Sequence, residues 1–409
     1  MPQAPDAMNP SLLKPDSIVF AVFLGTLAAL PPISIDMALP ALVDIGDTLH
    51  ATSSQAGFTL SLFMAGFVIG PLGYGPLSDA YGRKPMLLLG LSMFTAGGLL
   101  AALAPTIDAL LFARFAQGLG AGAGMTMALA IVRDLFKGVP MQRRIASITV
   151  VANVAPVLAP SIGVALLAAV HWRGIYAVMA ACGLLCTLAT WTQLQESSRT
   201  ARSTFSLARL CRDYATVLRN RPITVHILLN GLGFGWMFAY VAGSPLVFLA
   251  LMHVSSPAYA AIFATTGSGI VAGATINGFL ARHGVSSARL LMLAVTLAAL
   301  AGAGLIVLET LGRVSVATVL PLLVASTFCF GLAAPSAARG ALEPLPQLAG
   351  AAGGLLTSVQ MLFGAASSSL VAILFPKLGL LGMTGVMTAC AVAALAVLLA
   401  NNGAARHSH

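Results

Sequence analysis

Charged residues are rare in this sequence. Its 409 residues include 21 Lys and Arg and 12 Asp and Glu, 8% of the chain, against about 25% in a soluble globular domain. So few ionic groups cannot solvate a water-exposed surface, and 58% hydrophobic residues exclude a disordered chain. Cysteine is sparse as well. The five present, Cys182, Cys186, Cys211, Cys329 and Cys390, are scattered, four of them in apolar runs. That excludes a disulfide scaffold and leaves small polarizable core residues as the plain reading. The sequence also lacks G-x-x-x-x-G-K-[ST], H-E-x-x-H, G-x-S-x-G and any Cys/His cluster at metal spacing. We therefore expect no catalytic residue, no metal, no cofactor and no energy drawn from ATP within this chain.

What is abundant is apolar length. Blocks of about 20–28 residues recur between polar breaks, each long enough to cross a hydrocarbon core of ~30 Å at ~1.5 Å per residue. None alternates with period two, so a β-barrel is excluded. The divisions predict twelve spans: 17–40, 53–77, 84–104, 107–132, 144–169, 173–193, 223–251, 257–281, 286–308, 314–337, 348–375 and 380–400. Residues 1–16 hold one cation, Lys14, and no A-x-A site follows, so the first block is expected to remain as a helix. The net charge of +9 does not indicate nucleic acid, because the cations sit between the spans. With the N-terminus inside, seventeen of the 21 fall on the cytoplasmic side; only Arg173, Arg313 and Lys377 fall outside, and Arg114 lies within a span. Both termini are expected in the cytoplasm.

The longest polar stretch, 194–222, carries six arginines and divides six spans from six. The expected organisation is a tail at 1–16, a six-helix half at 17–193, a basic linker at 194–222, a second half at 223–401 and a tail at 402–409. Two landmarks point to an internal repeat. Gly75 and Gly278 open similar turns 203 positions apart, and Pro40 and Pro245 lie 205 apart.

Within the spans, charge is costly enough to be informative. Asp36 lies in span 1 between Pro31-Pro32 and Pro40, and Arg114 lies about two turns into span 4. Because span 1 runs outward and span 4 inward, the two fall at similar depth and are placed to face one cavity. The bland alternatives are an interfacial carboxylate and a cation bracing backbone carbonyls. The prolines remove backbone donors around Asp36, so span 1 is expected to bend there. Glycines at two-residue spacing, Gly118 to Gly124 and Gly231 to Gly235, read chiefly as close helix packing. Asn230, Phe234, Met237 and Tyr240 in span 7, Gln360 in span 11 and Met37 beside Asp36 are the candidate cavity lining, with lipid contact as the rival reading for the apolar ones.

The loop Gly75-Pro-Leu-Ser-Asp79-Ala-Tyr-Gly82-Arg83-Lys84-Pro85 resembles the signature of the major facilitator superfamily, with Ala80 where a basic residue is usual. Arg114-Phe-Ala-Gln117-Gly118 resembles its span 4 motif. The span 5 segment from Asn153 through Pro156 and Pro160 to Gly163 resembles its antiporter motif, with Ala159 and Val164 replacing glycines. Ile35-Asp36-Met37-Ala-Leu-Pro40, Ala130-Ile-Val-Arg133-Asp134, Trp172-Arg173-Gly-Ile-Tyr176 and Ala239-Tyr240-Val-Ala-Gly-Ser244-Pro245 are similar to the Bcr/CflA group of drug:proton antiporters, although Ala38 stands where tyrosine is usual.

The resemblance implies an all-α major facilitator fold of twelve helices in two six-helix bundles, monomeric, in a bacterial inner membrane, exchanging protons for amphipathic small molecules. It implies that Asp36 carries the proton or meets the drug opposite Arg114. Gly75, Asp79, Gly82, Arg83, Lys84 and Asp134 would form a cytoplasmic latch, and Pro156, Pro160 and Gly163 a bent helix sealing the halves. Burial favours a protonated carboxyl and a nearby arginine an ionised one, so a change of surroundings would load and unload Asp36. A transporter of one metabolite (sugar, nucleoside or siderophore) is the first rival, and a membrane-embedded enzyme or receptor-like protein the second.

Overall fold

The computed structural model describes residues 14–197 and 206–406, and the described residues contain helices and no strand. The tail before Lys14, the linker cations Arg199 and Arg202 and the C-terminal 407–409 lie outside the described residues. The helices are α1 Ile18–Asp36, α2 Leu42–Thr48, α3 Ser53–Tyr81, α4 Arg83–Ala102, α5 Ile107–Leu135, α6 Gly138–Gln193, α7 Leu207–Arg219, α8 Arg221–Pro245, α9 Ser256–Arg282, α10 Ser287–Thr310, α11 Val316–Leu342, α12 Ala349–Leu378 and α13 Leu380–Arg406. Polar caps start many of them. Ser17 accepts from the Phe20 amide, and Thr52 with Gln55 forms a reciprocal capping box, as Ser315 does with Thr318.

At 56 residues, α6 would be about 84 Å long if straight, far more than one crossing needs. It breaks at Val170 and at His171, whose φ of 56° is left-handed, so its two arms are spans 5 and 6. Among the described residues twelve crossings result, as the sequence reading expected. The short α2 and the amphipathic α7 are not crossings. Span 1 breaks where its carboxylate lies. The helix runs through Pro31 and Pro32, ends at Asp36, and gives way to a 3-10 turn at Leu39–Ala41 opened by Pro40. After Pro245, α8 passes into a π-helical turn at Leu246–Leu251.

Helices α1, α3, α4, α5 and α6 pack on one another, as do α8 to α13, and the two groups meet mainly along α3 against α12 and α6 against α9. The glycines explain how closely the helices approach. A Cβ added to Gly70 would lie 2.7 Å from the Gly122 Cα, between α3 and α5. One added to Gly273 would lie 3.1 Å from the Gly331 carbonyl carbon, between α9 and α11. Gly273 follows Gly70 by 203 positions and Gly331 follows Gly122 by 209, the same offsets that separate the starts of these helices, Ser53 from Ser256 and Ile107 from Val316. The halves therefore repeat one small-residue seam, and backbone contact of this kind is what holds helices together where lipid removes the hydrophobic drive.

This seam makes a stability prediction. A methyl at Gly118 would run into the Phe63 carbonyl, whereas one at Gly278 would meet nothing within 4 Å. Gly118→Ala should lose at least about 1–3 kcal/mol and lower the melting temperature of the detergent-purified protein. Gly278→Ala should leave it unchanged or raise it slightly, and equal melting of the two variants would contradict the seam.

Candidate functional site

The polar residues fall at two levels of the bundle. The first is the break in α1. Asp36 is 5% exposed, and no hydrogen bond or ion pair reaches its carboxyl from any described residue. It lies within electrostatic reach of Tyr240 and Tyr259 across the interface between the halves. Met37 is buried beside it, and Gly163 of α6 lies so close that a Cβ there would strike the Met37 carbonyl. The antiporter-like glycine thus lets span 5 lie against the broken segment. Pro156 and Pro160 lie within the same arm, and between them Val157 approaches Gly267 of α9, its side chain 3.2 Å from the place of a Cβ.

Arg114 is fully buried. Its guanidinium donates to the Ser34 carbonyl at 3.0 Å, to the Thr59 carbonyl at 3.3 Å and to the Gln117 side chain at 2.6 Å. It also lies over the Phe63 ring, 4.4 Å from its centroid, with Tyr176 at 5.4 Å. Ser34 is in the last turn of α1, where carbonyls lack helical donors. Arg114 therefore supports the break two residues before Asp36 and makes no ion pair with Asp36 in this conformation.

The span 7 residues face inward. Every residue of α8 from Leu229 to Pro245 is buried, so packing against protein, and not lipid, surrounds Phe234, Met237 and Tyr240. Asn230 donates to Gln360 at 3.1 Å, Phe234 stacks on Phe238 at 4.5 Å, and the Tyr240 hydroxyl pairs with Thr266 at 2.7 Å. The Tyr259 hydroxyl pairs with Ser244 at 3.0 Å. Tyr259 and Thr266 escaped the sequence reading because single hydroxyls in an apolar helix give no periodic signal.

The second level is the end where α7 lies, the linker end. Away from it the halves are joined along α3 and α12. Ser54 donates to the Ala372 carbonyl at 2.6 Å, Ser61 to Ser368 at 2.9 Å and Ser358 to the Val68 carbonyl at 2.8 Å. Beyond that seam a cavity of about 780 Å³ opens between the halves, with Phe67, Met125 and Leu356 on its apolar walls and Gly75, Asp79 and Arg83 among its polar ones. Neither Asp36, Arg114 nor the span 7 cluster lines it.

At its rim Arg83 pairs with Asp79 and, through Nε at 2.8 Å, with Asp134. Gly82 has φ of 102° and joins α3 to α4, a conformation that favours glycine. The sequence reading missed Glu196 and Ser197. The Glu196 carboxylate accepts from the backbone amides of Arg83 at 2.9 Å and Lys84 at 3.1 Å, capping α4, and Ser197 donates to Asp134 at 3.4 Å. Lys84 turns away to the Trp191 carbonyl at 2.9 Å. Chain positions 63 to 113 residues apart meet here, which local spacing does not reveal.

Twelve crossings in two alike halves, closed at one end and open at the other around a small-molecule-sized cavity, define a polytopic membrane transporter. The family model for the Major Facilitator Superfamily matches residues 22–368, and the chain belongs to that family. It is 33% identical over 363 residues to an uncharacterized MFS-type transporter, YdgK, of Bacillus subtilis, covering 88% of this chain and 89% of that one. It is 28% identical over 361 residues to a bicyclomycin resistance protein homolog of Haemophilus influenzae, covering 87% and 89%. Among solved structures, that of a POT family transporter in complex with a thioalcohol conjugated peptide superposes with a TM-score of 0.74 at 14% identity, covering 95% and 96% of the two chains. That likeness is one of fold.

The Arg114 geometry makes its own prediction. Arg114→Ala leaves two buried carbonyls and Gln117 without their donor, at about 1–3 kcal/mol each. It should lower the melting temperature strongly, with Arg114→Lys falling between it and the parent, since lysine supplies charge without the planar fork. Indistinguishable melting of all three would remove Arg114 from the support of the α1 break.

Proposed function

We propose that this chain is a proton-coupled exporter of amphipathic small molecules, acting by alternating access in a bacterial inner membrane. The observation that carries this reading is the Asp36 carboxyl, buried at a helix break between the halves with no hydrogen bond or ion pair from any described residue. A carboxylate charge in such a place is costly, and binding a proton or a cationic or hydrogen-bonding ligand removes the cost. Proton and drug competing for one group is sufficient for exchange. Resistance relatives covering most of the chain support drug-like cargo.

In this reading residues 17–193 and 223–401 are the two halves, joined by 194–222, with the tails at 1–16 and 402–409 and the linker end in the cytoplasm. The Lys and Arg bias supports that orientation. The cavity at the linker end then makes this the inward-facing state of a monomer. Arg83, Asp79 and Asp134 act on the equilibrium between states, because ion pairs of this exposure are worth about 0–1 kcal/mol each, enough to tilt a balanced two-state system several-fold.

Expression in an efflux-deficient bacterium should raise resistance to several chemically unrelated amphiphiles; transport of a single metabolite and no drug would favour a dedicated carrier. Asp36→Asn should fold normally and lose gradient-driven efflux by at least about tenfold. Parental efflux by that variant would exclude Asp36 from coupling. Asp79→Asn should slow turnover about two- to fivefold while leaving drug affinity in detergent unchanged; altered affinity at parental turnover would contradict the latch.

A further inference from the structure

The linker-end cavity is roofed by α7, which turns Leu210, Asp213 and Tyr214 toward it while Val217 is buried below. These positions follow helical spacing; the exposed Arg209 also borders the cavity, and the exposed Arg212 lies on the opposite face. What fixes the helix there is specific. The Tyr214 hydroxyl donates to the Leu72 carbonyl of α3 at 3.0 Å. In an uninterrupted helix that carbonyl would accept from the amide four residues on. Residue 76 is a proline inside α3, which has no amide hydrogen to give. The hydroxyl therefore stands where the helix itself lacks a donor. It also lies at the junction of the halves, 3.6 Å from where a Cβ on Gly354 of α12 would be. Burial and the neighbouring Asp213 carboxylate push the Tyr214 hydroxyl up to about 12, so it stays protonated and able to donate at neutral pH.

We propose that Tyr214 is a gating residue, whose hydroxyl occupies the carbonyl freed by Pro76 and so pins α7 as a lid across the linker-end cavity. The inference goes beyond the transport reading and does not depend on the identity of any cargo. As α3 and α12 approach each other to close that end, the space under α7 vanishes and the bond must break, so opening of the lid belongs to the transport cycle. Tyr214 is a positioning residue in this account; its hydroxyl holds a helix.

The test measures thiol labelling inside the cavity. In full-length, detergent-purified protein with its five native cysteines replaced by alanine, Thr126→Cys places a reporter on the cavity wall. Tyr214→Phe removes only the hydroxyl and should raise the rate of reaction with a bulky maleimide about three- to tenfold. Pro76→Ala restores the missing amide donor. In that background Leu72 is satisfied from its own helix, and Tyr214→Phe should change the rate by less than about twofold. An unchanged rate in the first comparison would overturn the proposal. So would an equal rise in both backgrounds, which would mean that the hydroxyl acts without regard to the freed carbonyl.

Discussion

A membrane offers no water to a backbone group that loses its partner, so every interruption of a helix has to be answered from elsewhere in the protein. Many of the polar side chains described above are such answers. Arg114 reaches the Ser34 carbonyl where α1 ends. Glu196 caps the first amides of α4, Glu309 accepts from the Leu381 amide at the start of α13 at 3.0 Å, and Arg173 donates to the Ala104 carbonyl after α4 at 3.1 Å. Tyr214 takes the carbonyl that Pro76 leaves open. Asp36 is not one of these answers. It is buried at the break that Arg114 supports, and no described residue gives it a hydrogen bond or ion pair. In the proposed reading, this irregular segment surrounds a carboxyl whose occupant is exchangeable.

The same constraint explains the distribution of glycine. Between helices in lipid, attraction comes from close contact and not from expelled water. The seams of α3 with α5 and α9 with α11 therefore bring backbone against backbone, in matching register in the two halves. Inside each half these seams are backbone against backbone, and between the halves hydroxyl-bearing side chains supply part of the contact of α3 with α12. Ser54, Ser61 and Ser358 tie α3 to α12 by single hydrogen bonds, each worth only about 0.5–1.5 kcal/mol. Such bonds can be exchanged for others at the opposite end without dismantling either half.

How much of this was legible in the sequence follows from cost. Asp36 and Arg114 stand out because charge inside a span is expensive, and the twelve crossings stand out because apolar length is periodic along the chain. The repeat was readable at Gly75 and Gly278, whose offset of 203 reappears in the packing of Gly70 and Gly273. The bend near Asp36 was expected from its prolines, although α1 runs straight through Pro31 and Pro32 and breaks only before Pro40. By contrast, Glu196, Ser197 and Tyr214 lie in polar segments where their presence costs nothing, and their partners are 63 to 142 residues away. Only the folded chain shows them. The aromatic and methionine side chains of α8 were ambiguous for a related reason. Lipid and protein interior are equally apolar, so composition does not distinguish them, and burial does.

The central claim is that one buried carboxyl serves proton and cargo in turn. Proton release on ligand binding tests it most directly. Detergent-purified protein in weakly buffered solution is mixed with a compound to which its expression confers resistance, while a pH indicator follows the medium. The account predicts release of about one proton per bound molecule from the parent protein and none from Asp36→Asn at ligand saturation. Equal release from both, or saturating binding by the parent with no release, would contradict it.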